Sequence, residues 1–225
     1  MVRLVLFDID GTLVNTGGAG VRAFGRAFAT EFGLPGGTER LRFAGRTDSS
    51  LVRELFTLHG HEPHPENFRR FFDCYVFWLD HFLRQHEGGV CHGVHEWLAA
   101  LAALPSPPLL GLLTGNIRLG AQLKLRHYGL WEPFVTGGFG DDHESRAEIA
   151  RIAKLRGGRR LGRELRGDEV LVIGDTPLDI ACARAIDARC LAVATGGAAL
   201  EELEAHRPDW AVADLTHLPV REALC

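Results

Sequence analysis

Apolar residues along the chain occur both as short continuous runs and as stripes with helical spacing. Val2 to Phe7 is apolar apart from Arg3, which predicts a buried strand of a parallel sheet. After residue 93, predicted strands at 109–113, 170–173, 190–194 and 210–213 alternate with predicted helices at 94–104, 116–128, 145–156, 177–186 and 199–205. Such alternation predicts an α/β fold in which helices cover both faces of a parallel sheet.

A stretch of helical periodicity separates the first strand from this alternating region. From about residue 17 to residue 91 no segment has the pattern of a strand. The clearest helix spans 65–86, begins with a proline in its first turn, and carries aromatic and leucine residues at i, i+3 and i+4. We therefore predict a core formed by residues 1–15 and 93–225, and a helical insert formed by residues 16–92. The Gly- and Arg-rich stretch 156–168 predicts a long loop.

Composition and charge limit the kinds of molecule that the protein is expected to bind. The chain is 46% hydrophobic with a formal net charge of −4, so it has no overall positive field to attract nucleic acid or anionic lipid. No apolar run reaches the length of a membrane-spanning helix, and the five cysteines form no CxxC pair. These features predict a cytoplasmic protein, a monomer or homodimer, that binds neither nucleic acid nor membrane.

Polar residues follow three of the predicted strands at the point where each strand ends. In an open parallel sheet, ligands bind beyond the carboxyl ends of the strands, near the point where strand order reverses. The side chains expected to meet there are Asp8 and Asp10 after the first strand, Thr114, Gly115 and Asn116 after the second, and Asp175 and Asp179 after the third.

The charge of these residues indicates what the site can hold. Carboxylates that converge without compensation raise one another's pKa values and destabilise the fold, and a divalent cation removes that problem. An all-oxygen set of ligands without histidine or cysteine suits Mg²⁺. A cation beside a helix N-terminus and a threonine hydroxyl predicts a receptor for a phosphoryl group.

Three motifs give the chain a resemblance to a known family. Residues 8–12 (DIDGT) resemble the first motif of the haloacid dehalogenase superfamily, in its phosphatase branch. Residues 112–116 (LLTGN) resemble the second motif, and residues 173–179 (IGDTPLD) resemble the fourth, GDxxxD. The resemblance implies a Rossmann-like α/β core, with the helical insert at the position of the family's cap domain.

The resemblance also implies roles for these residues. Asp8 would be the nucleophile that becomes an aspartyl phosphate, and Asp10 the general acid for the leaving group and then the base for water. Thr114 and the N–H groups of Gly115 and Asn116 would hold the phosphoryl oxygens. Mg²⁺ would be bound by Asp8, by the backbone carbonyl of Asp10, by Asp175 and, through water or supporting bonds, by Asp179.

The third motif of the family, a lysine often followed by proline, has no direct match. The only lysines are Lys124 and Lys154, and Lys154 falls late in the predicted helix 145–156. Arg146, at the start of that helix and just ahead of residues 147–156, is the expected substitute, with Lys154 as the alternative. In the insert, Arg46 is a candidate for binding a substrate carboxylate or second phosphate; otherwise Thr47 or Asp48 caps a helix at 49–59 and Arg46 is solvated.

The motifs favour hydrolysis of a small phosphomonoester, with a phosphoglycolate-like compound as the expected substrate. A sugar phosphomutase shares every core motif and remains open. Asp10 argues against a dehalogenase and, together with Asp8, against a non-catalytic phosphate-binding protein. A phosphonatase needs a cap lysine, and residues 15–92 contain none. Histidines at 59–64 and 92–95 are expected at the surface, and glycine pairs near 14–18 and 88–93 are the expected hinges.

Overall fold

Six parallel strands form the central sheet of the core. The computed structural model describes residues 1–39, 41–85 and 87–224, so that His86, the last residue of the predicted helix 65–86, and Cys225 lie outside the described residues. The strands of the sheet, in the order β5-β4-β1-β6-β7-β8, are β1 (Leu4–Phe7), β4 (Leu109–Leu113), β5 (Thr136–Gly138), β6 (Val170–Gly174), β7 (Arg189–Val193) and β8 (Trp210–Val212). This is the α/β fold that the sequence predicts.

The helices lie between the strands of this sheet along the chain and after its last strand. They are α1 (Ala19–Phe32), α2 (Asp48–Leu58), α3 (Pro65–Leu83), α4 (Val94–Ala102), α5 (Arg118–His127), α6 (Arg146–Arg160), α7 (Pro177–Arg184), α8 (Leu200–Ala205) and α9 (Val220–Leu224). Two short strands, β2 (Val14–Asn15) and β3 (Gly89–Val90), and two 3₁₀ helices, Gly167–Glu169 and Leu215–His217, complete the described elements.

The first strand lies in the middle of the sheet because both of its faces are apolar. β1 pairs with β4 on one side and with β6 on the other, and all four of its residues are buried. Val5 and Phe7 pack into one hydrophobic cluster, whereas Leu4 and Leu6 pack into a second cluster on the opposite face. A strand that is buried on both faces shows a continuous apolar run rather than alternation, as in residues 4–7.

Helices α1, α2 and α3 pack together over a third hydrophobic cluster, and we call residues 19–83 the helical unit. Its centre is aromatic: the rings of Phe24 and Phe28 on α1 contact Phe71 on α3, and Phe71 stacks on Tyr75. The predicted stripe on α3 therefore serves packing, since Phe71, Tyr75, Leu79 and Leu83 form its buried face.

The chain enters and leaves the helical unit through two adjacent strands. Val14 pairs with Val90 and Asn15 with Gly89 in an antiparallel ribbon only two residues long. The expectation that no strand lies between residues 17 and 91 was wrong at β3. A strand of two residues is too short to show the period-two alternation by which strands are recognised.

Two further boundaries differ from the sequence-based expectations. Helix α6 continues to Arg160, so residues 156–160 are helical and not part of a loop. Gly157 permits close packing there, because a Cβ at this position would lie 2.5 Å from Cδ2 of Leu4. Strand β5, which was not predicted, contains glycine at two of its three residues and has no apolar pattern.

The first turn of α2 fastens the helical unit to the core. The backbone N–H of Asp48 donates to the carbonyl of Gly115 (2.8 Å), and Oδ2 of Asp48 accepts from the backbone N–H of Ile117 (2.8 Å). The hydroxyl of Ser49 donates to the carbonyl of Gly140 (2.7 Å). These contacts hold the helical unit closed over the carboxyl ends of the strands.

Two global features bear on the expectations from composition. Across the described ranges, no helix is long and apolar enough to cross a membrane. The four cysteines in those ranges, Cys74, Cys91, Cys182 and Cys190, are free thiols.

Replacing Asp48 with asparagine tests the electrostatics of this contact. Burial raises the pKa of Asp48 from 3.8 to about 7, against the opposing effects of Lys124 and the Ile117 N–H group. A carboxyl whose pKa is raised in the folded state stabilises that state at low pH and loses this contribution as the pH rises from about 4 to about 7. We expect Asp48→Asn, whose amide oxygen can keep the bond from Ile117, to raise the free energy of unfolding relative to wild type, by about 1–4 kcal/mol more at pH 8 than at pH 4.

Urea unfolding of both proteins at pH 4, 6 and 8 measures this difference. Asp73→Asn, on the exposed face of α3, is the matched control and should show no such trend. If Asp48→Asn raised the free energy of unfolding by the same amount at every pH, the prediction would be contradicted.

Candidate active site

The carboxyl ends of β1, β4 and β6 meet beneath the helical unit and border a cavity of about 400 Å³. The core contributes residues from each of the three strand-end motifs, and the helical unit contributes apolar residues together with Arg46 and Asp48. The lining includes Asp8, Asp10, Thr114, Gly115, Asn116, Arg146 and Asp175 from the predicted set, and also Val21, Phe24, Phe43, Leu51, Tyr75 and Lys124. The structure thus brings the predicted residues together, with Asp179 buried behind the others.

Three buried carboxylates form the floor of the site. Asp8, Asp175 and Asp179 each offer an oxygen within 4.8 Å of the others, and they are the only such group of acidic, histidine or cysteine residues in the described part of the chain. Burial, reinforced by Asp179 and Asp10, raises the pKa of Asp8 to about 7 despite Arg146. Burial and the charges of Asp8 and Asp179 raise the pKa of Asp175 to about 8. Converging oxygen ligands that repel one another in this way fit a divalent cation.

Asp175 is held in a close-fitting backbone cradle. Its Oδ1 accepts a hydrogen bond from the hydroxyl of Thr12 (3.1 Å). Its Oδ2 lies against Gly196, where a Cβ would come within 1.6 Å of it. Glycine is therefore required at this position, and the side chain of Asp175 has little freedom to turn away from Asp8.

Asp179 supports the site from behind, at the start of α7. Its Oδ2 accepts from the backbone N–H (3.1 Å) and hydroxyl (2.6 Å) of Thr176, and its Oδ1 accepts from Nη2 of Arg146. Both oxygens are therefore engaged by the protein. The indirect role toward a metal that the family resemblance implies for Asp179 stays a prediction.

Arg146 lies where a cation beside the nucleophile was expected. It is buried at the first residue of α6, and its Nη2 is 3.7 Å from Oδ1 of Asp8 while also bonding Asp179. Lys154, the alternative, lies elsewhere: its Nζ donates to the carbonyl of Ile186 (3.0 Å). Of the two candidates, Arg146 is the one in contact with the acidic cluster.

A hydrogen-bonded network links the second motif to Asp10. The side-chain amide of Asn116 donates both to Oδ2 of Asp10 (2.7 Å) and to the hydroxyl oxygen of Thr114 (2.8 Å). The backbone N–H of Asn116 also donates to Thr114 (3.2 Å). Asn116, which sequence analysis assigned through its backbone N–H, therefore contacts Asp10 through its side chain as well.

Lys124 is the residue of the site that sequence analysis missed. It is buried on α5, and its Nζ donates to both oxygens of Asp10 (2.7 and 2.6 Å). The signal was its position, since Gly120, Ala121, Lys124 and Leu125 form the buried face of α5. A lysine on the buried face of an amphipathic helix requires a charged partner.

Arg46 lines the cavity but is already paired within the helical unit. Its Nη1 is 2.5 Å from Oε2 of Glu54, and its Nη2 is 3.5 Å from the hydroxyl of Ser50. Thr47 caps α2 as the alternative interpretation predicted, its hydroxyl oxygen accepting from the backbone N–H of Ser50 (3.2 Å). The cap and a cavity-lining arginine therefore occur together.

The predicted surface histidines serve local structure. His64 caps α3, its Nδ1 accepting from the backbone N–H of Glu66 (3.3 Å), and His61 packs edge-on against Phe32. His92 is largely exposed and pairs with Asp214.

Comparison with known proteins places this geometry in a family. The family described as haloacid dehalogenase-like hydrolase matches residues 5–193. No curated protein gave a match.

Solved structures share the fold at low sequence identity. One is a haloacid dehalogenase hydrolase (family IA, variant 3) from Entamoeba histolytica, with 17% identity, a TM-score of 0.74, and coverage of 100% of this chain and 98% of that one. A predicted phosphoglycolate phosphatase from Haemophilus somnus has 22% identity, a TM-score of 0.68 and 95% coverage of both chains. CbbY from Rhodobacter sphaeroides, in complex with phosphate, has 17% identity, a TM-score of 0.68 and 88% coverage of both chains.

The family match covers most of the chain, including all three strand-end motifs. The sheet order, the acidic cluster at the ends of β1 and β6, and the helical unit inserted after β1 agree with it. The chain belongs to the haloacid dehalogenase-like hydrolase family.

Proposed function

We propose that the protein is a Mg²⁺-dependent phosphatase that hydrolyses a small phosphomonoester through a phosphorylated Asp8. The observation that carries the proposal is the environment of Asp8. A buried carboxylate lies between the Arg146 guanidinium, 3.7 Å away, and two further carboxylates within 4.8 Å, and it borders a cavity of about 400 Å³. A nucleophile flanked by a fixed cation and a metal-type oxygen cluster suits transfer of a charged phosphoryl group.

The residues divide the reaction into two steps. An oxygen of Asp8 attacks phosphorus, the bond to the ester oxygen breaks, and Asp10 gives its proton to the departing alkoxide. Water then attacks phosphorus and gives a proton to Asp10. The bond between phosphorus and the oxygen of Asp8 breaks, so that phosphate leaves and the carboxylate of Asp8 is restored. Mg²⁺ would be held by Asp8, by the backbone carbonyl of Asp10 and by Asp175. When bound, it would offset the negative charge of the phosphoryl oxygens and favour the ionised form of Asp8. Thr114 and the N–H of Gly115 would bind these oxygens, and Arg146 would steady them.

The size and charge of the cavity support a small, anionic substrate. Its volume of about 400 Å³ is at the lower end for ligand pockets, and the helical unit covers the ends of the strands. Arg46 lines the same cavity, and it would bind the second anionic group of a phosphoglycolate-like ester in exchange for its pairing with Glu54. The similarity to a predicted phosphoglycolate phosphatase, and to a protein in complex with phosphate, supports the same class. The free thiols fit a reducing compartment such as the cytoplasm.

Replacing Asp8 with asparagine tests the nucleophile. We expect phosphate release from a panel of small phosphomonoesters to fall at least about a thousandfold, because the amide cannot form the acyl phosphate. The melting temperature without metal should not fall, because the substitution removes a buried carboxyl whose pKa is raised. Asp73→Asn serves as the surface control. Appreciable turnover by Asp8→Asn would contradict the mechanism.

Metal dependence can be measured by activity and independently by stability. We expect EDTA to abolish phosphate release and Mg²⁺ to restore it. Mg²⁺ should also raise the melting temperature of the wild type and relieve the repulsion between Asp8 and Asp175. Asp175→Asn should lose most of this thermal shift. Turnover that persists without any divalent cation would exclude the proposed chemistry.

Arg146 can be tested by restoring the lysine that the family usually supplies. A single atom, Nη2, makes the contacts with Asp8 and Asp179, and Nε is buried without a hydrogen-bond partner among the described residues. One ammonium could therefore replace the guanidinium. We expect Arg146→Lys to keep kcat within about tenfold of wild type, and Arg146→Met to lose about a hundredfold or more. Equal losses of kcat in the two variants would show that turnover does not depend on a positive charge at this position.

A further inference from the structure

Lys124 lines the cavity but has no part in the two steps proposed above. It is 4% exposed and lies on α5, the helix that follows the Thr114–Asn116 motif. We propose that Lys124 is a positioning residue, whose ammonium group fixes the direction in which Asp10 presents its carboxyl group to the leaving oxygen. The proposal rests on the proposed function, because it assigns a role within the same reaction.

The ammonium group of Lys124 is directed at Asp10 and Asn116. An ammonium group has three N–H donors. Nζ lies 2.7 Å from Oδ1 of Asp10, 2.6 Å from Oδ2 of Asp10 and 2.7 Å from Oδ1 of Asn116. Nζ thus contacts three protein oxygens, two of which belong to the carboxylate of Asp10. This geometry favours holding Asp10 over binding the substrate directly.

The orientation of the Asp10 side chain depends on hydrogen-bond partners more than that of Asp8 does. The side chain of Asp10 is 44% exposed to the cavity, whereas that of Asp8 is 7% exposed. Packing alone therefore leaves Asp10 free to rotate. Lys124 and Asn116 hold it instead, and they also bond each other, so that the three side chains form a closed ring of hydrogen bonds.

The position of Lys124 indicates a requirement for its charge. It shares the buried face of α5 with Gly120, Ala121 and Leu125, where an apolar residue would cost nothing to desolvate. An ammonium group in such a place is costly unless it is paired and hydrogen-bonded. Lys124 is paired with Asp10, the residue that is proposed to transfer the proton.

A purely structural role is the competing explanation. In that case Lys124 would only balance the negative charges of Asp10 and of Asp48, whose pKa it lowers from across the contact with the helical unit. Removal of Lys124 would then weaken the site as a whole. A positioning role makes a narrower prediction, because only proton transfer to the leaving group depends on the direction of Asp10.

The experiment compares two leaving groups in Lys124→Met, a variant of similar length without charge. The value of kcat/KM, which covers all steps up to departure of the leaving group, is measured with p-nitrophenyl phosphate and with the best alkyl phosphate of the panel. The nitrophenolate leaves without a proton, whereas the alkoxide requires one. We expect kcat/KM for the alkyl ester to fall at least about tenfold more than for the aryl ester, within the ~10²–10⁴-fold range of general acid catalysis.

Three further variants sharpen the comparison. Asp10→Asn should show the same bias against the alkyl ester, and adding Lys124→Met to it should not increase that bias. Lys124→Arg keeps the charge and should recover most of the alkyl activity. Lys154→Met removes the other lysine, which bonds the carbonyl of Ile186 away from the cavity, and should leave both esters unaffected.

The outcomes separate this proposal from the proposed function. Equal losses for the two esters in Lys124→Met would overturn the positioning role while leaving the phosphatase intact. If Lys124→Met fails to fold, Lys124→Gln is used in the same comparison, and unfolding of both variants would assign Lys124 to stability instead. A wild type that hydrolyses neither ester would overturn the proposed function itself.

Discussion

Mutual repulsion among buried carboxylates is the constraint on which the rest of this site depends. The parallel strands β1 and β6 end at the same edge of the sheet, so the acids that follow them are brought together whatever their charge. Burial and proximity raise the pKa values of Asp8 and Asp175 to about 7 and about 8. A site of this kind is stable only when positive charge is supplied to it, either from fixed side chains or from a bound cation.

The two fixed cations serve opposite sides of this acidic group. Arg146 approaches from α6 and contacts Asp8 and Asp179, whereas Lys124 approaches from α5 and contacts Asp10. Asp8 and Asp179 thus share one cation and Asp10 has another, although the charge of Asp10 still contributes to the raised pKa of Asp8. Between Asp8 and Asp175 no side-chain cation intervenes among the described residues, and a divalent metal fits there.

Much of this arrangement could be predicted because it depends on local sequence. The strand-end motifs located Asp8, Asp10, Thr114 and Asp175, since a buried strand followed by polar residues fixes both a position and a chemistry. Lys124 could not be found in this way, because its partner Asp10 is distant in sequence and only the packing of α5 brings them together. Likewise, β3 and the end of α6 depend on pairing and on close packing of glycine, which have no periodic signal. The domain boundaries at residues 15 and 93 remain predictions.

The place of β1 in the sheet also has a consequence for synthesis of the chain. β1 is made first, yet its neighbours in the sheet are residues 109–112 and 170–173. An apolar strand therefore emerges from the ribosome well before either partner exists. The helical unit lies between β1 and these partners in the sequence. Its aromatic cluster allows its helices to pack against one another before β4 and β6 have been synthesised. Insertion after the first strand thus places a unit with its own packed helices between β1 and both of its partners in the order of synthesis, so that the centre of the sheet depends on pairing across more than a hundred residues.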